Sequence, residues 1–142
     1  MSTFMTTGNL QVLLKNNYGE LERLQECVEE FLCQHGVEAK VIYTMNLALE
    51  EMVTNVIKYG YDDADEHTIQ VDIEKTTQLV QAVVSDDGHE FNPLNRATPD
   101  TSIPLEEREI GGLGIHLVRK MLDEVNYTRK ESRNYFSMAK KI

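Results

Sequence analysis

Two polar residues interrupt an otherwise apolar-periodic stretch, Leu49-Glu-Glu-Met-Val-Thr-Asn-Val-Ile-Lys-Tyr-Gly-Tyr61. Glu51 and Asn55 are spaced i,i+4, so on a helix they project about 40° apart on one side. A carboxylate and a carboxamide placed together could serve as a general base and a hard oxygen ligand for Mg2+. A solvated helix face would account for the pair as well, although Asn is a mediocre helix former for an interior position. A second group follows an apolar run: Asp86-Asp-Gly-His-Glu-Phe-Asn-Pro93. A carboxylate at a strand end can accept hydrogen bonds from an exocyclic amine, and a glycine two residues on lets a flat ring approach the backbone. These are also the residues that plain turns use. The third group is Gly111-Gly112-Leu113-Gly114-Ile115. At a helix start, free N–H groups and the positive helix end form a phosphate cradle without a basic side chain. The lysine of a P-loop is absent, and a glycine cluster alone is weak evidence.

The elements that must carry these groups can be read from periodicity. Asn9–Lys15 reads as a short strand, and Asn16 and Asn17 offer caps for a helix with Leu21, Leu24, Val28, Phe31 and Leu32 on one face. Gly36 stops that helix. A longer helix is expected from Glu38 to Tyr59, ended by Gly60, with Ile42, Met45, Leu49, Met52, Val53 and Val56 as its apolar stripe. After an acidic turn, Tyr61–Glu66, the residues Ile69, Val71 and Ile73 alternate with polar ones as in a half-buried strand. Leu79–Ser85 reads as a central strand. The polar stretch from Leu94 to Ile110 is long for a connector, and such loops are usually functional or mobile. The glycine cluster opens a third helix through Leu122. Glu124–Arg129 and Tyr135–Lys141 read as a closing hairpin around Glu131–Arg133. Strands and helices do not alternate regularly. The expected class is α+β: a two-layer sandwich whose mixed, mostly antiparallel sheet carries helices on one face.

Composition narrows the partners. The chain has 142 residues, which makes residues 1–142 one domain by default. It is 41% hydrophobic and 27% charged, an ordinary globular balance. Its net charge of −10 repels a phosphate backbone, so nucleic acid and anionic membrane surfaces are not expected partners. The acids dominate the first part of the chain, whereas residues 113–142 hold seven Lys and Arg against three acids. No run is long enough for a membrane helix, and the first residues lack the basic-then-apolar pattern of a secretory signal. Cys27 and Cys33 have neither zinc nor CxxC spacing and read as small buried hydrophobes of a cytoplasmic protein. The four histidines are scattered without metal spacing, and Asp62, Asp63, Asp65 and Glu66 lack the closing Glu of a calcium loop.

A Glu-x-x-x-Asn helix, a strand ending Asp-x-Gly, a long loop and a Gly-x-Gly helix start occur here in that order. The combination resembles the Bergerat-type ATP-binding fold shared by gyrase and the histidine kinases. The strings EEMVTNVIKYGY, VVSDDGHEFNPL and GGLGIHLVRKMLDEVNYTR are similar to those of the bacterial anti-sigma-factor serine/threonine kinases, from about Leu10 to Ile142. The resemblance implies ATP and Mg2+ as cofactors. It makes Asn55 the metal ligand, Glu51 the general base, Asp86 the acceptor of the adenine amine and Gly88 the place where the ring lies close. Phe91, Gly111, Gly112, Leu113 and Gly114 complete the implied nucleotide site, and residues 95–110 would close over it as a lid. The implied substrate is a Ser or Thr of a STAS-type anti-anti-sigma protein, with an RNA polymerase sigma factor as a second partner and a homodimer as the assembly. A non-catalytic ATP- or ADP-binding module that sequesters a partner is the alternative. The ATP-binding half of a histidine kinase is disfavoured, because no histidine-bearing dimerisation segment is present. Three departures stand out: Lys58-Tyr59 where many relatives carry a histidine, Glu90 in place of a frequent glycine, and a last hairpin without a glycine-rich turn.

Overall fold

The computed structural model describes residues 6–95 and 114–142. Eight principal elements follow one another: β1 (Thr6–Lys15), α1 (Leu21–Gln34), α2 (Ala39–Tyr59), β2 (Thr68–Thr76), β3 (Leu79–Asp86), α3 (Gly114–Met121), β4 (Glu124–Lys130) and β5 (Arg133–Lys141). The five strands form one sheet in the order β1-β2-β3-β5-β4. All four pairings are antiparallel, which makes the expected mostly antiparallel sheet entirely so among the described residues.

Alternation decides which face is buried. On β2, Ile69, Val71 and Ile73 are buried while Gln70, Asp72 and Glu74 between them are not. Val12 and Leu14 of β1 pair with Val71 and Ile69, and β3 adds Val80, Ala82 and Val84 to the same face. A one-residue slip would turn these residues to water, so the pattern fixes the register. Against this face pack Leu24, Val28 and Leu32 of α1, Met45, Leu49, Met52 and Val53 of α2, and Ile115 and Val118 of α3, all in one hydrophobic cluster. The result is two layers with the helices on one side.

The helix ends follow local chemistry, with two departures from expectation. Gly36 takes φ 75° and ends α1 in a Schellman turn, with Val37 N–H donating to the Leu32 carbonyl and Gly36 N–H to that of Cys33. Asn16 and Asn17, expected as helix caps, make no side-chain cap bond; a 3-10 turn at Tyr18–Glu20 precedes α1 instead. The Asn16 Oδ1 accepts from His67 N–H at 2.8 Å, and Asn16 N–H donates to the His67 carbonyl, so this residue joins the end of β1 to the start of β2. Cys27 is half-buried and Cys33 exposed, contrary to the expectation of two buried thiols. The buried face of α1 is complete with Leu24, Val28, Phe31 and Leu32, and Cys33 falls on its outer side.

Candidate functional site

The chemistry collects where α2 crosses the ends of β3 and β5. Asn55 lies four turns into α2 and is 2% exposed, because its side of the helix faces the sheet next to Met52 rather than solvent. Its Nδ2 donates to Glu51 Oε1 at 3.5 Å. Its Oδ1 is buried and has no hydrogen-bond partner among the described residues. A buried carbonyl oxygen in that state costs about 1–3 kcal/mol. The solvated-face account of this pair therefore fails for Asn55.

Glu51 lies against the first residue of α3. A Cβ built on Gly114 would fall on the Glu51 carboxyl group, so glycine at this point is what lets that carboxyl sit where it does. The first and third sequence groups, more than fifty residues apart, are thus in contact. Gly111, Gly112 and Leu113 lie outside the described residues, as does nearly all of the expected 95–110 lid.

At the other end of the cleft, Asp86 closes β3 and is 3% exposed. It is held by its own loop: Gly88 N–H donates to Asp86 Oδ1 at 2.9 Å, an Asx-type turn. Gly88 in turn packs on the end of α2. A Cβ there would lie 2.4 Å from the Gly60 carbonyl oxygen, which also accepts from His89 N–H at 2.8 Å. Asn55, Asp86 and Phe91 line one cleft with Met52, Val56, Val84 and Phe136. It encloses about 370 Å³, including its open mouth. Apolar walls with a few buried polar groups are typical of small-molecule sites. Phe91 stacks on Tyr59, ring centroids 5.0 Å apart, at the rim.

The β4–β5 hairpin contributes residues that no sequence motif marked. Register places Asn134 opposite Asp86 on β3 and opposite Arg129 on β4. Asn134 Nδ2 donates to Asp86 Oδ1 at 3.0 Å and to the His89 carbonyl at 2.7 Å. Its Oδ1 accepts from the Tyr127 hydroxyl and from Arg129 Nη1. Arg129 also donates to the Gly88 carbonyl at 2.8 Å. Burial is the main cause that raises the Tyr127 phenol above its ordinary range. The signal that could have found this group is the strand pairing itself, which depends on partners far apart in the chain.

The acidic turn after α2 forms the outer wall. Tyr61 donates to Asp87 at 2.7 Å and stacks on His67, and burial followed by that hydrogen bond pushes its phenol well up. His67 pairs with Asp63 and His89 with Asp62. Hydrogen bonding from His67 holds the Asp63 carboxyl below its usual range. Among the described residues no cluster of three or more His, Cys, Asp or Glu side chains could hold a metal ion unaided, and no helix is long and apolar enough to cross a membrane.

The family model of the histidine kinase-like ATPase domain matches residues 14–140, which takes in every group described above. The chain belongs to that family. Within it, the histidine kinase-like ATPase domain of this chain is 26% identical over 129 residues to a serine-protein kinase RsbW of Listeria monocytogenes, covering 88% of this chain and 81% of that one. It is 21% identical over 100 residues to the serine/threonine-protein kinase BtrW of Bordetella bronchiseptica, covering 70% of each. An anti-sigma F factor of Clostridium novyi is 24% identical over 114 residues, with 80% of both chains covered. In fold, the domain is similar to a crystal structure of the RsbU and RsbW domains of a Mycobacterium tuberculosis protein, at a TM-score of 0.68 and 17% identity. That likeness takes in 94% of this chain and 32% of the other, so this chain spans about a third of the length of that chain.

Proposed function

We propose that this ATPase-family domain is a Mg2+-ATP-dependent serine/threonine protein kinase of the anti-sigma type, acting on an antagonist protein in a partner-switching system. The observation that carries the reading is the Glu51 carboxyl group seated against Gly114 with Asn55 beside it. A module that only holds nucleotide has little need of a carboxylate at that point. The names of the relatives support the same activity.

The residues present fit the cofactor. Asn55 offers a buried carbonyl oxygen with no partner among the described residues, suited to a hard cation. Mg2+ commonly takes one or two protein oxygens and completes its shell with water and substrate phosphates, so a single side chain suffices. Gly88 and Gly114 let the loop after β3 and the start of α3 lie close against Gly60 and the Glu51 carboxyl group. When bound, Mg2+-ATP supplies an electrophilic terminal phosphoryl group with its charge partly neutralised.

The chain's own groups would do the rest. Asp86 would accept the exocyclic amine of adenine, with Phe91 and Val84 walling the ring. Amides at the start of α3, together with Gly111, Gly112 and Leu113, would hold phosphate oxygens. Glu51 would take the proton from the hydroxyl of a partner Ser or Thr as it attacks. Phosphoryl transfer asks mainly for such positioning and charge stabilisation. A STAS-type anti-anti-sigma protein is the proposed substrate and a sigma factor the proposed second partner.

Incubation with radiolabelled ATP, Mg2+ and candidate antagonist proteins tests this reading. Label is expected on a partner Ser or Thr, lost in Glu51→Ala with nucleotide binding retained, and lost in Asn55→Ala together with Mg2+-dependent binding. Equal transfer by Glu51→Ala would remove its role as base. Tight ATP binding without transfer to any partner would make the domain a nucleotide-dependent binding module.

A further inference from the structure

Asn134 has four hydrogen-bonding positions on its side chain, and all four are filled at 5% exposure. Its two N–H groups go to the Asp86 carboxylate and the His89 carbonyl; its oxygen takes the Tyr127 hydroxyl and the Arg129 guanidinium. This arrangement admits one orientation of the amide. A flip would set the oxygen against a carboxylate and a carbonyl, and the NH2 against a guanidinium. Tyr127 and Arg129 therefore fix which end of Asn134 faces Asp86.

The consequence lies at Asp86. Both Asn134 Nδ2 and Gly88 N–H converge on Oδ1. An incoming donor in the cleft is left with Oδ2. The carboxylate cannot rotate to exchange the two oxygens without breaking both bonds. The two bonds fix it in plane.

We propose that Asn134 is the positioning residue for base recognition, holding Asp86 so that the site takes a purine bearing an exocyclic amine and rejects one bearing a carbonyl at that position. The proposal rests on the assignment of Asp86 to adenine given above and adds what makes that carboxylate selective. Arg129 and Tyr127 act through Asn134. The hairpin thereby sets the base preference although none of its three residues needs to touch the phosphates.

The test compares ATP, GTP and inorganic triphosphate in competition against a fluorescent ATP analogue, with Mg2+ present. Wild type is expected to prefer ATP to GTP. Asn134→Ala removes one donor to a charged acceptor, so ATP affinity should fall about ten- to hundredfold. GTP and triphosphate should change by less than about threefold, and the ATP-to-GTP ratio should move toward one. Asn134→Asp keeps the size and the acceptor for Tyr127 and Arg129 but sets an oxygen against Asp86, and it should lose the preference too. An undiminished ATP-to-GTP ratio in either folded variant overturns the proposal. So does an equal weakening of ATP, GTP and triphosphate, which marks a structural role. Wild type that binds triphosphate but shows no preference for ATP refutes the Asp86 assignment itself, a result distinguishable from both.

Discussion

Asn55 is held where it destabilises the free protein, and replacing it with leucine should reveal by how much. Among the described residues its Oδ1 is buried without a partner, a deficit of about 1–3 kcal/mol. The one bond from its Nδ2, at 3.5 Å to Glu51, is too long to offset much of this. Leucine has the same branched four-atom side chain, though a bulkier one, and Met52, Val56 and Val84, which line the cleft with Asn55, are apolar. It also gains a few tenths of a kcal/mol in helix propensity, against some strain from repacking. A net stabilisation of about 1–2 kcal/mol follows. For a domain of this size it corresponds to a rise in Tm of roughly 3–6 °C. The assay is thermal unfolding of wild type and Asn55→Leu, each with and without Mg2+-ATP. Without nucleotide the variant should melt higher. With ATP at about 100 times Kd, wild type should gain about 2.7 kcal/mol and the variant nothing, so their order reverses. A variant that melts below wild type in the absence of nucleotide refutes the reasoning, because the oxygen would then have a partner worth more than its burial costs.

Gly88→Ala should lower Tm by roughly 5–10 °C: the new Cβ meets the backbone oxygen of Gly60, which cannot yield as a side chain would, and the His89 to Gly60 bond is lost with it. Differential scanning calorimetry checks this, with Gly19→Ala, whose Cβ would meet only an Asn17 side chain, as the near-neutral control. Gly114→Ala should behave differently, since its Cβ meets the mobile end of Glu51; Tm should stay within about 2 °C while phosphoryl transfer falls about a hundredfold in a kinase assay, the cost of displacing a reacting group. Glu20 accepts from Arg23 and from the Lys15 N–H, and hydrogen bonding to Arg23 lowers its carboxyl to about 2. A depressed carboxyl stabilises above its unfolded value and loses that contribution as pH falls. The Tm gap between wild type and Glu20→Gln should therefore be about 2–4 °C at pH 7, for an interaction of at most about 1 kcal/mol, and should shrink between about pH 4.5 and pH 2.

Some features were legible from the chain because they are local. The 3.6-residue stripe of α2, the alternation of Ile69, Val71 and Ile73, and the stop at Gly36 each depend on residues within one or two turns of one another. The order of the Glu51, Asp86 and Gly114 groups was enough to indicate the fold, because that order is the property of a family. What stayed hidden depends on contacts between distant segments. Asn16 looks like a cap until β2 supplies His67 as its partner. Asn134 looks like a polar residue in a strand until pairing sets it opposite Asp86, forty-eight residues earlier in the chain. Cys33 could be placed inside or outside only once the face of α1 that meets the sheet was known.

The sheet order also bears on when the protein becomes competent as it is synthesised. β5 is the last element in chain order, yet it lies between β3 and β4 and bonds to both. While the nascent chain still holds β5 in the ribosome, β3 has an open edge and β4 no neighbour. The first three strands can pair in order as they emerge, but the carboxylate at the end of β3 waits for its clamp. A chaperone or protease acting during translation would meet a half-sheet with a bare edge, the form most open to wrong pairing. Competence to bind nucleotide should arrive in one step, when the final strand slides into the gap.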